Sequence, residues 1–138
     1  MAEIMLKGRR IPLLYTVFEM KAIQEEIAPL GELMYVISGR NKDDREDASK
    51  YGSAEHLGAI AKLIRILGNA GLEEDGEAAD LTDKKVLRAL KPSELAPAVN
   101  ACVEAMAEGM KSEIPEEDDG EPVDVTLEEM RKKKARES

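Results

Sequence analysis

Tryptophan is absent from this 138-residue chain, phenylalanine occurs once, and aromatic residues make up 3% of it. Its core must therefore be aliphatic, built from Leu, Ile, Val, Ala and Met. Cysteine also occurs once, as Cys102, so no intrachain disulfide forms. With His56 as the single histidine, a Cys/His zinc site within one chain is excluded. No apolar run reaches the ~20 residues that cross a bilayer. No charged segment leading into an apolar signal core is present either. The expectation is a protein of a reducing cytoplasm, without membrane contact. Positive charge is in deficit: 20 Lys and Arg face 29 Asp and Glu, a net charge of −9. Phosphate backbones favour a basic face, so nucleic acid is not an expected partner.

The densest apolar run starts at His56 and ends at Gly71. Leu57, Ile60, Ala61, Ile64 and Leu67 fall at helical spacing and define one stripe. Leu63 and Ile66, with Ala59, make a second apolar face. A helix apolar on two faces is either central in its domain or meets a partner with one of them. Ser53 is its expected N-cap and Asn69-Ala70-Gly71 its expected end.

The other segments read as packing partners of this hub. Ile4-Met5-Leu6 and Ile11-Pro12-Leu13-Leu14-Tyr15, joined through Lys7-Gly8-Arg9-Arg10, predict a β-hairpin with a free edge at Pro12. A lone hairpin is marginal in water, so it must pack on helices or pair with another chain. Thr16 and Glu19 form a capping-box pattern ahead of a helix over about 17–27, with Met20, Ile23 and Ile27 inward. Pro29 starts a second helix carrying Leu30, Leu33, Met34 and Ile37, and Gly39 stops it. Residues 40–52 read as a charged loop, with room for one helical turn over 43–49. Thr82 caps a short helix with Val86, Leu87 and Leu90 inward. Lys91-Pro92-Ser93 breaks it, and Ser93 caps a last helix over 94–110. Its stripe is Leu95, Val99, Cys102, Val103, Met106 and Met110. The fold class is mainly α: an N-terminal hairpin on a bundle of four to five helices, residues 1–112. Residues 113–138 are expected to form a flexible acidic tail, with a capping-box pattern at Thr126 and a short helix-prone segment running into Lys132, Lys133 and Lys134.

Chemistry is sparse. His56 lies beside Glu55 at a helix start, with no nucleophile marked for it, and reads as an ordinary first-turn residue. Cys102 lies on an apolar stripe and reads as a small buried apolar group. The acidic run Glu116-Glu117-Asp118-Asp119-Gly120-Glu121 lacks the alternate ligand spacing of a calcium loop. No Gly-rich segment leads into the Lys-Ser/Thr pair of a phosphate loop. No metal, cofactor or enzymatic activity is expected. The seven methionines say more. Met34, Met106 and Met110, with Leu63 and Ile66, are the candidate partner-binding residues, because thioethers adapt to varied apolar surfaces. The hairpin edge and the two-faced hub also allow self-association into a homo-oligomer.

The order of these parts resembles a family. The hairpin reads Ile-x-Leu-x-Gly-x-x-x-Pro-Leu over residues 4–13, and the Thr-capped helix ends Glu-Glu over 16–26. Ile-Leu-Gly-Asn-Ala-Gly-Leu follows at 66–72, Leu-Lys-Pro-Ser-Glu-Leu at 90–95, and Glu-Ala-Met-Ala-Glu-Gly-Met at 104–110. Together they resemble the small tail assembly chaperones of long-tailed bacteriophages and prophages, over about residues 1–112. The resemblance implies a non-enzymatic, non-virion protein of the host cell cytoplasm. Such a protein binds the apolar, helical tape-measure protein and keeps it soluble while the major tail-tube protein polymerises around it. It also implies a longer form made by a −1 frameshift, for which the codons of Lys132, Lys133 and Lys134 are the expected site. The alternative is a structural tail or head–tail connector subunit of the virion, whose rings usually contain longer sheets than this chain predicts. A small module that binds host proteins by acidic mimicry is a further reading.

Overall fold

The computed structural model describes residues 2–39 and 51–111. The expected turn over 43–49, the acidic segment, the capping box at Thr126 and the three lysines 132–134 lie outside the described residues. Within them the protein is mainly helical, with an N-terminal antiparallel hairpin.

Strands β1 (Glu3–Leu6) and β2 (Arg9–Pro12) pair with Ile4 opposite Ile11 and Leu6 opposite Arg9. The turn is tighter than the sequence suggests. Only Lys7 and Gly8 lie between the strands, both with positive φ (50° and 80°), as a two-residue I′ loop requires. Arg9 and Arg10 are therefore strand residues. Ile4, Leu6 and Ile11 point into the core.

Five α-helices follow: α1 (Val17–Glu26), α2 (Leu30–Ser38), α3 (Ala54–Glu74), α4 (Asp83–Ala89) and α5 (Leu95–Met110). The capping box on α1 forms as expected. Thr16 N–H donates to Glu19 Oε1 at 2.9 Å, and Phe18 N–H donates to Thr16 Oγ1 at 3.2 Å. Gly39 ends α2 in the left-handed region, φ 77°. A Cβ there would also sit 2.7 Å from Tyr51 Cα, so the position needs glycine twice over.

Helix α3 is the hub. It packs against α1, α2, α4, α5 and β2, and Ile60, Leu63, Ile64, Leu67 and Leu72 on it are fully buried. Ser53 caps it, accepting from His56 N–H at 3.1 Å. Asn69-Ala70-Gly71 does not end it, because the helix continues to Glu74. These residues serve packing instead. A Cβ on Gly68 would lie 2.7 Å from Leu81 Cδ1 and 2.9 Å from Ile11 Cγ2, and one on Gly71 would overlap the carbonyl of Pro12. The two glycines let β2 lie directly on the helix, and Leu14 N–H donates to Leu67 O at 3.1 Å. Asn69 holds the chain at Leu81. Its amide donates to Leu81 O at 3.1 Å and accepts from Leu81 N–H at 3.0 Å. Arg65 joins α1 to α4, donating to Asp83 at 2.7 Å and pairing with Glu26.

Three smaller expectations are corrected. Leu87 points outward at 41% exposure, because Val86 alone fills the inward position of the short α4, with Leu90 half-buried behind it. Ser93 is not the cap of α5. Pro92–Glu94 form a 3-10 turn leading into the helix, with Lys91 N–H donating to Glu94 Oε1 at 2.7 Å. The buried stripe of α5 is Leu95, Ala98, Cys102 and Ala105, so the stripe turns away before Met110.

The glycine argument predicts opposite effects from one substitution at two sites on α3. Gly58→Ala, whose Cβ meets nothing within 4 Å, should stabilise by about 1 kcal/mol through helix propensity. Gly71→Ala should lose that gain and more, a net destabilisation of about 1–3 kcal/mol, since backbone stands where the methyl must go. Chemical denaturation of the two variants checks both signs.

Candidate binding surfaces

His56 is 2% exposed. Its Nδ1 accepts from Gly52 N–H at 2.9 Å, so Nε2 carries the proton and donates to Ile37 O at 2.9 Å. Both ring nitrogens are occupied in tying the start of α3 to the end of α2. Neither is left for proton transfer or metal binding. An apolar cavity of about 190 Å3 lies beside the ring, lined by Ile37, Tyr51, Ile60 and Val99 among others. Cys102 is fully buried, and burial pushes its thiol up to about 12. A protonated, inaccessible sulfur is neither nucleophile nor ligand. Among the described residues, no group of three or more His, Cys, Asp or Glu side chains could hold a metal ion.

The candidate partner-binding residues separate into two groups. Leu63 and Ile66 are corrected: they are 0% and 8% exposed and belong to the core. The second apolar face of the hub is covered by this chain's own elements, so of the two alternatives for a two-faced helix the structure takes the central one. Met106 is half-buried against the core. Met34 and Met110 are 51% and 69% exposed. Met34 shares one side of α2 with the exposed Leu30, four residues earlier.

The end of α5 meets parts of the chain that sequence spacing does not reveal. A Cβ on Gly109 would overlap the Tyr15 carbonyl, so the end of α5 lies on the backbone that leads into α1. Ala2 N–H donates to Glu108 Oε1 at 3.1 Å at the same place. Val17 and Phe18, two and three residues beyond Tyr15, are the most exposed large apolar side chains described, at 78% and 75%. The only Phe of the chain is thus spent on the surface, three residues beyond the Tyr15 that meets the end of α5. The sequence carries one signal for this: Val17 and Phe18 fall in the first helical turn, ahead of the inward stripe that starts at Met20.

A second surface lies between the hairpin and α4. It is a groove of about 330 Å3 with Leu6, Ile11 and Leu81 among the residues lining it. Lys7, Arg9, Lys84, Lys85 and Arg88 ring it. Asp80 pairs with Arg9 at 3.1 Å and Lys85 at 3.9 Å, and the bond from Arg9 holds its carboxyl below the usual carboxylate range. Lys7, Lys84 and Arg88 have no ion-pair partner among the described residues. The sequence holds the raw signal, Lys7-Gly8-Arg9-Arg10 and Lys84-Lys85 in an acidic chain. Only the fold puts the two clusters on one rim.

The described elements include no span long and apolar enough to cross a membrane. Comparison with protein-family models, with curated proteins and with solved structures finds no match.

The burial of Cys102 predicts its reactivity. In native buffer at pH 8 a thiol-specific reagent should modify none of the protein, and one equivalent should react once guanidinium unfolds it. Native labelling at the unfolded rate would place the thiol at the surface, against this structure.

Proposed function

We propose that this protein is a tail assembly chaperone of a long-tailed phage or prophage, acting in the host cell cytoplasm on the tape-measure protein. The observation that carries the reading is the exposure of large apolar side chains at the start of α1 and the end of α5, where Val17, Phe18 and Met110 stand 69–78% exposed. In the proposal these side chains make one contact surface for another apolar protein, as exposed apolar patches do. Their setting on an acidic body suits a shield: the apolar patch engages the client's helices, and the net charge of −9 keeps the complex from associating further. Met34 and Leu30 on α2 extend the apolar contact surface in the proposal, and Met110 gives it a side chain that adapts to unlike partners. The groups that could do covalent chemistry, His56 and Cys102, are committed to the interior, which supports a binding role over a catalytic one.

The test is co-expression with the tape-measure protein that the proposal expects to be encoded beside this gene. The wild-type chain should raise the soluble fraction of the tape-measure protein. Phe18→Asp combined with Met110→Asp should abolish that gain. The variant's own stability should stay within about 0.5 kcal/mol, because neither side chain is in the core. A tape-measure protein equally soluble with and without this chain ends the proposal.

A further inference from the structure

The basic groove is an anomaly on a chain of net charge −9: five cations ring an apolar floor, and three of them are unpaired among the described residues. Five like charges crowded around the single carboxylate of Asp80 repel, so an anionic occupant is stabilised there, above all one with apolar side chains to cover the floor. This chain carries such a segment. Residues 113–124 contain Glu116, Glu117, Asp118, Asp119 and Glu121, flanked by Ile114 and Val123. We propose that residues 113–124 of the same chain are the occupant of the groove between the hairpin and α4.

Reach permits it. Helix α5 ends beside the start of β1, where Ala2 bonds Glu108, and the groove begins at the other end of β1, at Leu6. Strand β1 advances about 3.4 Å per residue, so the gap to span is on the order of 15–20 Å. The residues between Lys111 and Glu117 cover about 20 Å when extended. A tethered segment also acts at an effective concentration near millimolar, which an acidic segment of another protein must outcompete. This reading is independent of the tape-measure proposal, which rests on the other surface.

The test uses the full chain with Gly120→Cys carrying a nitroxide label. Cys102 is buried and stays unlabelled, and every acid of residues 113–124 remains. Amide signals of Leu6, Lys7, Lys84, Lys85 and Arg88 should be lost selectively, while those around His56 are kept. Lys84→Glu with Arg88→Glu should restore the lost signals. Both side chains are exposed and outside the core, so the fold is spared. Reversing the charges of Glu116, Glu117, Asp118 and Asp119 to Lys in that variant should bring the loss back. Three results overturn the proposal. The first is uniform broadening over the surface. The second is a pattern unchanged in Lys84→Glu/Arg88→Glu. The third is a loss that appears only between molecules, when labelled and isotope-enriched chains are mixed, because the occupant is then a second copy.

Discussion

The fold depends on one close approach. At Gly68 and Gly71 the hub helix presents bare backbone to β2, so near that a methyl group at either position collides with Ile11, Leu81 or the Pro12 carbonyl. This contact resolves the problem of a two-stranded sheet, which is not stable by itself. The hairpin gains a helix as its floor, and Leu14 gains a backbone partner in Leu67. One residue away, Asn69 grips both polar groups of Leu81 and so sets where the chain turns into α4. Three consecutive functions, a packing glycine, an amide clamp and a second packing glycine, share one helical turn.

That arrangement decides what is left for the surface. With β2, α1, α2, α4 and α5 all laid on α3, the hub has no free apolar side. Leu63 and Ile66 are used up in folding. The large apolar side chains that remain outside lie at the periphery, on the first turn of α1, on α2 and at the last turn of α5, with Met5, Tyr51 and Leu87 exposed elsewhere. The same packing brings the basic turn of the hairpin alongside α4 and builds the groove. The proposed chaperone surface and the proposed site for the acidic segment are both consequences of where the helices meet α3.

The elements themselves were legible, because local chemistry sets them. Thr16 with Glu19, Ser53, Thr82 and Gly39 each act at the helix end where their side chains or lack of one suggest. What could not be read was which of two local meanings a residue takes. Gly71 is a helix stop by propensity and a packing site by tertiary contact, and the contact wins because a strand lies against it. Leu63 is core or interface by spacing alone, and only the number of elements around α3 decides. Phe18 has no place in the inward stripe that starts at Met20, and spacing alone does not tell that it stands on the outer side of a first turn. The groove needed two basic clusters, far apart in sequence, to be placed on one rim.

Native-state hydrogen exchange tests the central contact most directly. The amides of Leu14, bonded to Leu67 O, and Leu81, bonded to the Asn69 side chain, belong to no helix or strand ladder. If the hairpin, α3 and the lead into α4 form one cooperative unit, both should exchange only through global unfolding, at the same opening free energy as Ile64 and Leu67 inside the hub. Exchange of either amide through a cheaper local opening, with the α3 amides still protected, would show that the hairpin rests on the helix without holding the fold together.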